Sequence, residues 1–301
     1  MADLTGQFTG STITKEVSKM SKKPIAAILY DFDSTLATTD MQNFGFIPAM
    51  GMTPQEFWSK VGGFTNQTGA DKILGYLYMM PRIAKEKGIR VTREFLNSMG
   101  RNIKFFPGVS TWFKRINDFG AEHGIQIEHY IISSGNKEII DGCPIAKEFK
   151  MIYGCEYIYD QNGEAIWPKM AVNYTQKTQY FYRISKGAID ATDDKTINEK
   201  VETKRIPTSN MIYIGDGMTD VPAMIIVKNS GGKSIAVYPK GNEEKSAELV
   251  EDGRVNYSCV ADYSSGRDLE RILHLIIEGI SINESLRHRE EKNVTLEALN
   301  S

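Results

Sequence analysis

Cysteine is scarce in this chain: three residues, Cys143, Cys155 and Cys259, lie far apart and form no CxxC pair. Such usage argues against a disulfide framework and against thiol chemistry, and fits a reducing compartment. The four histidines, His123, His129, His274 and His288, form no HExxH or other zinc spacing and read as ordinary surface or core residues. Neither sign of charge dominates. The formal net charge is -2 and lysines alternate with acids along the polar stretches, so the basic face that a nucleic-acid partner needs is missing. No segment approaches the ~20 apolar residues of a membrane span, and the opening MADLTGQFTGSTITKEVSKMSKKP lacks the apolar core of a signal peptide. A cytoplasmic protein without membrane or nucleic-acid partners is the expectation.

What is present is an ordinary globular composition in a chain of 301 residues, above the usual single-domain size, which predicts two compact units. Residues 1–23, rich in Ser, Thr and Lys, read as a flexible tail. The stretch IAAILYDFDSTLATTD follows, a short aliphatic run of the kind buried on both faces of a parallel sheet. It ends in Asp31 and Asp33. Two carboxylates that close repel and raise one another's pKa unless a cation or a chemical task holds them together.

Residues 38–104 carry helical periodicity and little strand signal, and read as an inserted helical unit. Within them Thr53 is a predicted N-cap with Pro54 in the first turn and Glu56 completing a capping box, and a second helix closes on Gly88. Beyond them IEHYIISSGNKEII predicts a buried strand running through Ser133-Ser134-Gly135 into a helix, and Asn162-Gly163 signals a hairpin. A helix is expected from about Thr178 to Ile189, then a solvated polar stretch over 190–206 with no chemistry of its own. NMIYIGDGMTDVPAM predicts another strand ending in acids, SIAVYP a further strand, and GRDLERILHLIIEGI a helix presenting Leu269, Ile272, Leu273, Ile276, Ile277 and Ile280 on one face. Alternating strands and helices predict a doubly wound α/β fold with a Rossmann-like parallel sheet, whose ligand sites form at the carboxyl ends of the strands.

DFDST alone is open to other readings, a turn, a helix cap or a stray cation site, and GDGMTD is ordinary turn composition. Their combination is specific. In chain order come Asp31-Phe32-Asp33-Ser34-Thr35, Ser133-Ser134-Gly135, Lys177 at the opening of a helix, and Gly215-Asp216-Gly217-Met218-Thr219-Asp220. The chain thereby resembles the haloacid dehalogenase-like (HAD) hydrolase superfamily, over about Pro24 to Tyr263. The position of the insert, between the first and second motifs, is most similar to the phosphoserine phosphatase group.

The resemblance implies a HAD core over 24–37 and 105–301 with a cap domain over 38–104. It implies a magnesium-dependent phosphomonoesterase acting on a small phosphorylated metabolite, with Asp31 as nucleophile forming an aspartyl-phosphate and Asp33 as general acid and base. It implies phosphate donors at Ser133, Ser134 and Gly135, Ser133 preferred because it opens an S-x-G turn, and a charge-neutralising Lys177, preferred over Lys186. Magnesium would be held by Asp31, the Asp33 carbonyl and Asp216, with Asp220 behind them. Asp40 matches the position that reads the substrate amino group, and Arg82, Arg90 and Arg93 are candidates for a substrate carboxylate. A phosphotransferase or mutase with the same intermediate, or a non-catalytic binding protein on this scaffold, are the alternatives. Dehalogenase chemistry is disfavoured, since it needs no acid at position 33 and no cation.

Overall fold

The computed structural model describes residues 23–217 and 219–300, so the expected flexible tail lies, apart from Lys23, outside the described residues. Seven strands form one sheet: β1 (Ile25–Tyr30), β2 (Gln126–Asn136), β3 (Met151–Tyr159), β4 (Ala165–Met170), β5 (Met211–Gly215), β6 (Lys233–Tyr238) and β7 (Tyr257–Val260). Their order is β4-β3-β2-β1-β5-β6-β7, parallel throughout except for the β3–β4 hairpin that turns at Gly163 with φ 74°. Successive residues of β1 and β5 are buried whichever way they point, as strands covered by helices on both faces must be. The winding leaves β1 toward β2 on one side and returns to β5 on the other. That reversal opens a crevice at the carboxyl ends of β1 and β5.

The helices are α1 (Phe46–Ala49), α2 (Pro54–Thr68), α3 (Lys72–Glu86), α4 (Arg93–Met99), α5 (Val109–Glu122), α6 (Lys137–Asp141), α7 (Gln176–Lys186), α8 (Asp194–Asn198), α9 (Val221–Asn229), α10 (Glu244–Glu251) and α11 (Asp268–Asn300). The first five lie between β1 and β2, four of them in an insertion that precedes α5. The chain enters and leaves this insertion through a two-stranded neck in which Ala37 bridges Phe105 and Thr38 N–H donates to the Lys104 carbonyl at 2.9 Å. The capping box of α2 forms as expected, Thr53 and Glu56 each accepting from the other's backbone N–H. In α3, Pro81 has no N–H to offer the Leu77 carbonyl. The buried Tyr157 hydroxyl of β3 donates to that carbonyl instead, at 2.8 Å, pinning the insertion to the sheet.

Beneath β1 the core contains a satisfied polar chain. Trp112 Nε1 donates to the Tyr30 hydroxyl at 2.9 Å, and that hydroxyl meets His129 Nδ1 at 3.1 Å. Burial holds His129 well below its ordinary pKa, at about 3, so it is a neutral core histidine. All three cysteines are free and buried.

The structure departs from the sequence reading in several places. The helix expected to start after Lys177 starts at Gln176 and ends at Lys186, because Gly187, with φ 85°, caps it. The polar stretch 190–206 carries structure: it contains α8, and Arg205 reaches back to pair with Glu128 on β2 at 2.5 Å. The edge strand β7, four residues long, carried no sequence signal. α11 runs 33 residues, far past the apolar face that predicted it. No helix among the described residues is long and apolar enough to cross a membrane.

Candidate active site

Asp31 follows the last residue of β1, and its N–H donates to the Ile214 carbonyl of β5 at 2.9 Å. That one bond brings the Asp31 loop alongside Asp216, the first residue after β5. The chain then turns back on itself, with the Thr35, Leu36 and Ala37 amides all directed at the Phe32 carbonyl. Ser34 takes a left-handed φ of 55°, a conformation costly for a residue other than glycine and concentrated at functional turns. Phe32, fully buried and edge-on to Phe105, anchors the turn to the neck.

Lys177, on the first turn of α7, is buried to 1% exposure. Its Nζ lies 2.7 Å from Asp31 Oδ1 and 2.7 Å from Asp220 Oδ1. Asp220 immediately precedes α9, and its carboxylate also accepts from the Tyr213 hydroxyl at 2.8 Å. Burial lowers the lysine's proton affinity, but the two aspartates more than offset it and hold the ammonium charged. Lys186, the competing lysine, spends its charge on the Ile197 and Glu199 carbonyls.

Asp31, Asp216 and Asp220 offer carboxylate oxygens that all lie within 4.8 Å of one another. Burial, then the Asp220 charge, pushes Asp31 up to about 7 against the pull of Lys177. Burial, then Asp220 and Asp31, pushes Asp216 up to about 8. Three acids, Asp31 and Asp220 buried and Asp216 half-buried, share one ammonium and leave excess negative charge, and their donors are all oxygen. That set fits a hard divalent cation, which would remove the repulsion that raises these pKa values.

Asp33 accepts the Met41 N–H at 2.7 Å, so the first turn of the insertion fixes its carboxyl. Burial, with the charges of Asp40 and Asp31, holds its pKa well above the carboxylate range. A cavity of about 510 Å³ is lined by Asp31, Asp33, Asp40, Ser134, Lys177 and Asp216 among others. A second, of about 490 Å³, shares Asp33, Asp40 and Ser134 with it and continues under the insertion against Trp58, Ile73 and Tyr76.

Ser133 and Ser134 lie in succession on β2 and so point to opposite sides. Ser134 lines both cavities, and its hydroxyl is buried without a partner. Ser133 is 1% exposed, and its oxygen accepts the Gly135 N–H at 3.0 Å. The S-x-G spacing gave preference to Ser133, whereas the serine that lines the cavities is Ser134. At Gly135 a Cβ would meet the Met41 side chain and come within 3.0 Å of Asp33 Oδ2, so a larger residue would have to displace Met41.

Asp40 lines both cavities, with burial raising its pKa. The three candidate arginines line neither. Arg82 stacks on Tyr78, Arg90 reaches the Asn162 carbonyl, and Arg93 pairs with Glu156. The cation that does line the second cavity is Lys72, at the start of α3. Sequence reasoning also missed Tyr76 and Glu248, which no motif marked, and gave no role to Thr219 within GDGMTD, although all three line the cavities.

A doubly wound α/β sheet with an acid cluster at the ends of β1 and β5, and helices inserted after β1, defines a class of fold. Comparison with solved structures gives that class its name. A substrate-bound phosphoserine phosphatase complex superposes with a TM-score of 0.53 at 16% identity, over 84% of this chain and 98% of that one. A HAD family hydrolase from Salmonella enterica serovar Typhi superposes with a TM-score of 0.53 at 17% identity, over 78% of this chain and 67% of that one. The chain shares the fold of these two structures. In sequence it is 26% identical over 275 residues to an uncharacterized protein of Borreliella burgdorferi, covering 82% of this chain and 95% of that one. No family model matches it.

Proposed function

We propose that the protein is a magnesium-dependent phosphomonoesterase that hydrolyses a small phosphorylated metabolite through an aspartyl-phosphate on Asp31. The observation that carries the reading is the position of Lys177, 2.7 Å from Asp31 and 2.7 Å from Asp220, at the foot of a cavity that Asp33, Ser134 and Asp216 also line.

In the proposed first step an Asp31 oxygen bonds to phosphorus while the ester P–O bond breaks, and Asp33 gives its proton to the departing alcohol oxygen. Asp33, now a carboxylate, takes a proton from water, which attacks the same phosphorus and frees Asp31 and phosphate. Lys177 holds charge off the nucleophile, and the unpaired Ser134 hydroxyl donates to a phosphoryl oxygen, while the Gly135 N–H is taken by Ser133 Oγ. Magnesium, held by Asp31, Asp216 and the Asp33 carbonyl with Asp220 behind them, would offset the repulsion between two anions. The insertion over 38–104 acts in this reading as a cap, with Asp40 contacting the leaving group.

The test is phosphate release from a panel of phosphorylated metabolites, with and without magnesium, by the wild type and Asp31→Asn. Magnesium-dependent release that the variant loses is expected. Full activity in the variant would remove Asp31 as nucleophile, and transfer to a second alcohol in place of release would make the protein a phosphotransferase.

A further inference from the structure

The turn that presents Ser134 is held from three sides. Ser133 takes the Gly135 N–H, and the Ser134 carbonyl accepts from the Cys155 thiol at 3.2 Å and from the Tyr76 hydroxyl at 2.6 Å. Cys155 belongs to β3, but Tyr76 belongs to α3 of the insertion. Its ring is buried, meets Trp58 edge-on at 6.1 Å, and lines the second cavity. One residue along, Leu77 is the residue whose carbonyl Pro81 leaves free and Tyr157 takes up. Consecutive residues of α3 are therefore tied to the sheet, one of them to the backbone of the residue whose hydroxyl is left unpaired in the cleft.

We propose that Tyr76 is a positioning residue: its hydroxyl, by fixing the Ser134 carbonyl, aims the Ser134 hydroxyl at the phosphoryl group. The inference rests on the phosphomonoesterase reading. Tyr76 touches no reacting atom and acts through Ser134.

The experiment compares Tyr76→Phe, Ser134→Ala and the double variant, using full-length protein with magnesium. The readouts are inorganic phosphate affinity by calorimetry and kcat/KM on the best ester. Tyr76→Phe is expected to weaken phosphate binding and kcat/KM by roughly tenfold or more, since small misplacements of catalytic groups are costly. The double variant is expected to be no worse than Ser134→Ala, because the two losses pass through one group. Tyr157→Phe, which unties the same helix one residue along, should leave phosphate affinity within about twofold. If Tyr76→Phe does not fold, Cys155→Ala removes the other donor to the same carbonyl and should weaken phosphate binding in the same direction. Unchanged phosphate affinity, or losses that multiply in the double variant, would overturn the proposal. A wild type that neither binds phosphate nor cleaves any ester would fail the underlying reading and take this inference with it. A wild type active on esters with independent losses would fail the inference alone.

Discussion

Lys177 and Asp31, 146 positions apart in the chain, meet at 2.7 Å with the lysine 1% exposed. Asp31 ends the central strand and Lys177 enters from α7, after the chain has run through the insertion, β2 and the β3–β4 hairpin. A buried ammonium shared by two carboxylates is costly to build and costly to break, and its loss should register in both activity and stability.

Lys177→Met leaves Asp31 and Asp220 facing one another without a cation. Phosphate release should fall roughly 100- to 1,000-fold, as when one stabilising donor is lost. Urea unfolding should show a loss of roughly 3–5 kcal/mol, the cost of half a buried pair. A variant with wild-type turnover would remove the lysine from the proposed chemistry.

Divalent cation should stabilise the fold through the acid cluster. At a magnesium concentration 100 times its Kd, the gain is about 2.7 kcal/mol, visible as a rise of several degrees in thermal unfolding. Asp216→Asn should abolish that rise, while raising stability without magnesium by relieving repulsion. Equal magnesium responses in the two proteins would place the cation elsewhere.

The ion cluster at Glu128 sets an acid limit on stability, independent of the active site. Burial alone would raise this carboxyl, but hydrogen bonds from Arg205, Lys150 and Tyr130 outweigh it and bring it to about 2 from an ordinary 4.5. A depressed folded-state pKa means stability fully present above 4.5 and lost as pH falls toward 2. With allowance for solvent screening the loss is roughly 1–2 kcal/mol. Glu128→Gln should remove this part of the acid sensitivity, and an unchanged dependence of unfolding on pH would contradict the assignment.

Pro81 and Tyr157 should be coupled. Tyr157→Phe leaves the Leu77 carbonyl buried without its donor, at a cost of about 1–3 kcal/mol. In a Pro81→Ala background the residue 81 N–H can reach that carbonyl, and the same change should cost visibly less. A double-mutant cycle on unfolding free energy reads this directly, and a coupling near zero would show that the tyrosine serves some other contact.

What the sequence disclosed follows from how local each signal is. The strand ending at Asp31, the capping box at Thr53 and the hairpin at Gly163 depend on neighbours a few positions away, and each was legible. The short edge strand β7 was not, because four residues hold too little pattern. Acids and a lysine in family order identified Asp31, Asp33, Lys177 and Asp216 as a set, and the structure gathers them around one cavity. The choice between Ser133 and Ser134 turned on which side of β2 faces the cleft, which spacing within a turn does not report. Arg82, Arg90 and Arg93 looked available until the fold supplied Tyr78, Asn162 and Glu156 as their partners. Tyr76 and Lys72 reach the cleft only through the packing of the insertion on the sheet, which no motif encodes.

The most direct test of the central claim is to find the phosphoryl group on the protein. Wild type and Asp33→Asn are mixed with a cleavable ester labelled at phosphorus, quenched in acid within one turnover, and mapped by mass spectrometry. The account predicts label on Asp31 alone, sensitive to hydroxylamine, and slower both to form and to disappear in Asp33→Asn, which lacks the acid for the leaving group and the base that activates water. Turnover with no covalent label, or label on any other residue, would contradict it.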